Sequence, residues 1–117
     1  MNMMNSFITE GKITKGIEVK ELLNGTKVVR FMIAVSRYFK LADGSTRDEI
    51  SYFDVECYGN TADLVEKHIV EGRGVRVVGR LKQERWGDET GKVHSRVFIV
   101  GEHIEFMPMP KDKEVEE

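Results

Sequence analysis

Ile50-Ser51-Tyr52-Phe53-Asp54-Val55-Glu56-Cys57-Tyr58 alternates in character from one residue to the next, and the stretch that follows, Thr61 to Glu71, does not. In the first, Phe53, Val55 and Cys57 fall on one face of an extended chain. Tyr52, Asp54, Glu56 and Tyr58 fall on the other, which is the period of a half-buried strand. In the second, Ala62, Val65 and Ile69 recur at helical spacing with Leu64 and His68 beside them. Asn60 is a candidate cap for that helix, Asp63 suits the positive end of its dipole, and Gly72 suits its close. Past Gly72-Arg73-Gly74 the alternation resumes, with Val75, Val77, Gly79 and Leu81 set against Arg76, Val78, Arg80, Lys82 and Trp86.

Further strands lie on either side of this strand-helix-strand unit. Val28 to Val35 puts Val29, Phe31, Ile33 and Val35 on one side and turns Arg30 and Ser36 to the other, while Ser6 to Ile13 and Val93 to Ile104 are weaker strand candidates. Asn24-Gly25 reads as a tight primed hairpin turn, because both residues tolerate positive φ. Asp43-Gly44-Ser45 and Gly87 to Gly91 mark further breaks. Five strands with one helix between the third and fourth is the order of an all-β OB-fold, a barrel that takes oligonucleotides or oligosaccharides. The domain is expected to fill residues 1–110. Residues 111–117 follow Pro108 and Pro110 and read as a charged, disordered end.

Composition narrows the function classes. A chain of 117 residues, 40% hydrophobic and 32% charged, suits one modest core. No apolar run approaches the roughly 18 residues of a membrane span, and the start lacks a secretory signal. A single cysteine, Cys57, suits a reducing compartment, so a soluble, cytoplasmic chain is expected. His68, His94 and His103 fall on separate elements without metal-ligand spacing, and Cys57 sits on the core face, so neither an enzyme nor a metal or other cofactor is expected. Gly72, Gly74 and Gly79 follow a helix and enter a strand, the reverse of a dinucleotide fingerprint. Asn24-Gly25-Thr26 matches a glycosylation sequon and is read as a turn.

The formal charge of −2 hides an asymmetry. Residues 73–96 hold seven bases and three acids, and residues 48–71 hold seven acids and one base. The whole net charge sits in residues 111–117, with two bases and four acids. Because the Debye length is about 8 Å at physiological salt, a polyanion responds to the nearest surface and not to the total. Arg76, Arg80 and Lys82 form a cationic row leading to Trp86, a pattern that suits single-stranded nucleic acid: cations track phosphates and a flat ring stacks on an unpaired base. A solvated strand face ending in an amphipathic tryptophan is the plain alternative. Tyr52 and Tyr58, on one strand face, add a second candidate platform.

Taken in order, several short segments resemble the bacterial single-stranded DNA-binding protein family over Asn5 to Met107. They are Gly11, Asn24-Gly25, Phe31 to Ser36, Tyr58-Gly59 before the helix, Gly72, Val77-Val78-Gly79-Arg80-Leu81, Arg85-Trp86, and Asp88 to Gly91. The resemblance implies an OB-fold, usually assembled as a homotetramer, that wraps and protects DNA strands exposed in replication, recombination and repair. It implies base stacking by Phe39, Tyr52, Tyr58 and Trp86. Phosphate contacts are expected from Arg76, Arg80, Lys82 and Arg85.

Two features depart from the family pattern. Asp54 and Glu56 place acids on the expected ligand face, where they would weaken binding locally or meet a subunit partner. The end of the chain, Glu114-Val115-Glu116-Glu117, lacks the Pro-Phe tip through which most members recruit replication and repair proteins, so tip-dependent recruitment is not expected. The rival readings are a primosome-type OB adaptor that binds DNA weakly and works through protein contacts, and an OB module for RNA or oligosaccharide.

Overall fold

The structure is a computed structural model that describes residues 1–109. Its elements are β1 (Phe7–Ile13), β2 (Glu18–Glu21), β3 (Lys27–Lys40), β4 (Thr46–Tyr58), α1 (Gly59–His68), β5 (Gly74–Gly87) and β6 (Val93–Phe106). The strands form one sheet in the order β1-β5-β6-β4-β3-β2, and a further pairing of β1 with β3 closes it into a barrel. Closure requires the two backbones to approach closely at Gly11, where a Cβ would lie 2.8 Å from the Ala34 carbonyl oxygen. β4 and β6 run parallel and the other paired strands run antiparallel.

The expected OB-fold is present, with the helix between the third and fourth barrel strands, β4 and β5. The short β2 is an addition that pairs with β3 from Glu18–Arg30 to Glu21–Lys27. Residues 110–117, and with them the expected disordered end, lie outside the described residues.

Three hairpins turn in the same way. In each, the residue opening the loop accepts from a glycine N–H three positions on and donates to a carbonyl four positions on: Leu22 with Gly25 and Thr26, Leu41 with Gly44 and Ser45, Asp88 with Gly91 and Lys92. Positive φ occurs only at the glycine of each loop, so the turn at Asn24-Gly25 is not the primed pair expected. Asn24 contributes its side chain instead, its Oδ1 accepting from the Thr26 N–H at 3.0 Å.

The helix also starts earlier than its pattern suggests. Gly59, at φ 59°, turns the chain directly from β4 into α1, so Asn60 lies inside the helix and no side chain caps it. Asp63 pairs with Lys27 at 3.1 Å and is not in the first turn. The helix ends where the Ile69 N–H bonds to the Val65 carbonyl. Gly72, at φ 89°, then donates to the Ile13 carbonyl and leads into β5.

Ala62 and Val65 cover one end of a core built from Val29, Phe31, Ile33, Val55, Cys57, Val75, Val77, Ile99 and Ile104. Burial pushes the Cys57 thiol up to about 12, which keeps it protonated and inert. Two residues of the expected core set lie at its margin, Phe53 at 36% exposure and Leu81 at 39%. β1 pairs with β3 only at Ile33 and Ala34 and with β5 only from Gly74 to Gly79, whereas the β3–β4 and β5–β6 hairpins pair on to Lys40–Thr46 and Gly87–Val93, so their outer halves continue as two-stranded ribbons. On β5–β6 the register shifts at Val78/Gly79, where Glu102 is the unmatched residue. The bend is so tight that a Cβ on Gly79 would lie 1.8 Å from the Val100 carbonyl oxygen.

Candidate nucleic-acid interface

Strand alternation and pairing determine which side chains share the outer surface. On β5 the outward set is Arg76, Val78, Arg80, Lys82, Glu84 and Trp86; Lys82 pairs with Phe98 of β6, Glu84 with Arg96 and Trp86 with His94. On β4 it is Tyr52, Asp54, Glu56 and Tyr58, which pair with Ala34, Met32, Arg30 and Val28 of β3. The parallel pairing of Glu56 with Val100 joins the two sets into one surface. Tyr58 and Lys82, from separate strands, meet in a groove of about 350 Å³ that Lys20, Leu22, Arg30 and Glu84 also line.

Glu56 is the electrostatic hinge of that surface. It is only 3% exposed, yet it accepts from the Tyr58 hydroxyl at 2.7 Å, from Arg30 Nε at 3.1 Å, and from Arg96. Burial pushes its carboxyl up, but the Tyr58 and Arg96 hydrogen bonds and the Arg30 and Arg96 charges outweigh that and hold it below the ordinary glutamate range. Burial and the hydrogen bond to Glu56 push the Tyr58 phenol up. The acid that looked repulsive in the sequence is therefore neutralised within the fold. Arg96 also lies over the Phe98 ring, 4.2 Å from its centroid.

The predicted cations are not equally available. Arg76 is held between Glu10 at 2.6 Å and Glu105 at 3.2 Å, and Arg80 stands 3.8 Å from Glu102. Lys82 has no acidic partner among the described residues and lies on the outer surface beside Tyr58. Arg85 likewise has no partner among the described residues, but it aligns with Ser95, on the reverse side of the ribbon from Trp86.

Trp86 is 48% exposed and stacks on His94, with centroids 5.7 Å apart and planes at 24°. His94 Nε2 lies 2.7 Å from Asp88 Oδ2, while Asp88 Oδ1 accepts from Thr90 and from the Lys92 N–H. These bonds, Thr90's first and His94's next, hold the Asp88 carboxyl down at about 2. The hairpin tip thus orients the indole and leaves its far face open.

Among the aromatics, the fold brings Tyr52, Tyr58 and Trp86 onto the outer surface, with Tyr52 59% exposed. Phe39 falls elsewhere: it pairs with Arg47, on the side of β3 that carries Ile33 and Val35, and is half-buried. Sequence reasoning passed over Tyr38, Lys20, Arg30 and Arg96. Continuing the alternation of Arg30 and Ser36 by two residues points to Tyr38. Arg30 and Arg96 needed the pairing of β3 with β4 and of β4 with β6. Among the described residues no three His, Cys, Asp or Glu side chains gather to hold a metal ion.

Comparison with known proteins gives a consistent picture. The model of the Single-strand binding protein family matches residues 4–107. A single-stranded DNA-binding protein of Helicobacter pylori is 34% identical over 110 residues, covering 94% of this chain and 62% of that protein. One of Aquifex aeolicus is 35% identical over 114 residues, covering 97% and 77%. This chain thus spans less than two thirds of the Helicobacter relative. Among solved structures, the Plasmodium falciparum SSB complex with ssDNA superposes with a TM-score of 0.83 at 20% identity, covering 92% of this chain and 98% of that one, a likeness of fold.

Proposed function

The chain belongs to the single-strand binding protein family, and from that premise we propose that it binds single-stranded DNA without regard to sequence. In this reading it protects strands exposed during replication, recombination and repair, as a binding protein and not an enzyme. The observation that carries the reading is the single outer surface uniting Tyr52, Tyr58 and Trp86 with Lys82 and Arg80. Stacking on an aromatic ring suits any base, since every base has a π-face. Each stacked base is worth about 1–3 kcal/mol, a range known from strand-binding OB domains of this very kind. Lys82 supplies the most available phosphate contact. Arg80, Arg30 and Arg96 are shared with acids and contribute less.

No helix among the described residues is long and apolar enough to cross a membrane, and a cytoplasmic, nucleoid-associated location fits a DNA partner. We further propose self-association into a homotetramer or a dimer. The reading is supported by the outward, 65% exposed Ile8 on β1, together with the family's usual assembly.

The test is a titration with oligo-dT followed by the fluorescence of Trp86. Single strands should quench it and duplex of the same length should not; Trp86→Ala removes the chain's single tryptophan, so its binding is followed by the anisotropy of labelled oligo-dT and should be weakened about 5- to 100-fold. Quenching by neither, or equal affinity for duplex, refutes the reading.

A further inference from the structure

The outer side of the β3–β4 ribbon continues beyond Tyr52 towards the hairpin tip. There Ala34 pairs with Tyr52, Ser36 with Ile50, and Tyr38 with Asp48. Tyr38 is 70% exposed and Ile50 54%. The residues across from Tyr52 and Ile50 are alanine and serine, too small to cover them. Alternate residues along a strand and diagonal neighbours across a pair stand roughly 7 Å apart, so Tyr38, Ile50 and Tyr52 form a stepped apolar strip. Nothing in the fold uses the Tyr38 ring: its hydroxyl has no hydrogen-bond partner among the described residues and no other ring stacks on it. Phe39 is in the opposite position, half-buried on the reverse side across from Arg47.

We propose that Tyr38, and not Phe39, is the outermost stacking ring of this ribbon, taking an unpaired base beyond the one on Tyr52. The assignment rests on the DNA-binding reading above and moves one ring of the family pattern by one residue, hence to the other side of the strand. Asp48, across from Tyr38, disfavours a phosphate there and leaves a neutral base as the fitting occupant. Lys40, next on the same side of β3, offers positive charge to the strand's backbone at the tip. Ile50 fills the step between the two tyrosines.

The experiment compares Tyr38→Ala, Tyr38→Phe, Phe39→Ala and Tyr52→Ala in oligo-dT affinity, thermal midpoint and mass by light scattering. Tyr38→Ala should weaken binding about 5- to 50-fold with an unchanged midpoint, and Tyr38→Phe should bind within about 2-fold of the parent. Phe39→Ala should lower the midpoint and leave affinity within about 3-fold. The reverse pattern, with Phe39→Ala losing affinity and Tyr38→Ala retaining it, overturns the assignment. So does a change in mass for Tyr38→Ala with affinity per chain intact, which would mean that a second copy covers the ring. If Tyr52→Ala weakens binding and Tyr38→Ala does not, the assignment fails alone; if the parent does not bind DNA, the functional reading fails and the assignment with it.

Discussion

The β3–β4 and β5–β6 hairpins are near equals in length and carry different chemistry. β3–β4 pairs without a shift from Val28–Tyr58 to Lys40–Thr46, and its outer side presents Tyr38, Ile50, Tyr52 and Tyr58 with the acids Asp48 and Asp54. β5–β6 is bent by a register shift at Gly79, and its outer side presents Arg80, Lys82, Trp86 and Arg96. The first ribbon carries three tyrosines among charges of both signs, and the second carries the cations Arg80, Lys82 and Arg96 beside a single tryptophan. They meet where Glu56 of the first bonds to Arg96 of the second. A strand of nucleic acid has the same two components, neutral bases and a charged backbone, so a face divided this way engages both at once.

The bend in β5–β6 is the point at which the comparison breaks most completely. Gly79→Ala would drive a Cβ into the backbone of Val100, 1.8 Å from its carbonyl oxygen, and no side chain can move aside to relieve it. We expect a loss of several kcal/mol, enough to abolish the cooperative thermal transition of a small domain. Gly87→Ala, on the projecting half of the same strand, is the control. Its Cβ would come no nearer than 4.0 Å to other atoms, so it should change stability by less than about 0.5 kcal/mol.

The next test cuts the link between the ribbons. Glu56→Gln removes the charge that Arg30 and Arg96 share, with little change in shape. Breaking a fully buried pair costs about 3–5 kcal/mol, but these arginine side chains are 33% and 27% exposed and reach water, so about 2 kcal/mol is expected at pH 7. The pH dependence has a definite sign. The folded protein holds the Glu56 carboxyl below its ordinary range, so the stabilisation is fully present above that range. It is lost as the pH falls through the lowered value, and the gap between parent and variant should narrow below about pH 4. Urea unfolding at a series of pH values checks this. A gap that stays constant down to pH 3 would mean the charge is not what Glu56 contributes.

These contrasts also separate what was legible in the sequence from what was not. The strands announced themselves through Val29-Phe31-Ile33 and Val55-Cys57, because a period of two survives wherever one face is buried. The barrel order followed from placing the helix between two such runs. Phe53 and Leu81 were misread as core because alternation reports a face and not where the barrel ends. Asn60 was misread as a cap because Gly59, with its positive φ, starts the helix two residues earlier and leaves Tyr58 at the cap position. The acidic excess of residues 48–71 misled for a related reason. Glu56 is paired by Arg30 and Arg96, and Asp63 and Glu66 by Lys27, all bases outside that window. Counting charge along a chain cannot register partners that only strand pairing brings across.

The smallest expected effect separates the two sides of one ribbon. Lys82 and Arg85 both lack an acidic partner among the described residues and stand three residues apart, so a sequence count treats them as equal cations. Their register does not: Lys82 faces the groove beside Tyr58, and Arg85 lies on the reverse side with Ser95. If phosphates follow the outer surface, Lys82→Ala should weaken oligo-dT binding a few-fold at 0.15 M salt and lower the magnitude of the log–log salt slope by about 0.7. Arg85→Ala should stay within about 2-fold, with the slope unchanged. The salt slope is the more discriminating readout, because a loss of packing moves affinity at every salt concentration alike, whereas a lost phosphate contact changes how many counterions binding releases. Equal slopes for the two variants would mean that the strand wraps both sides of the β5–β6 ribbon, and that the division of labour lies between the ribbons and not between their faces.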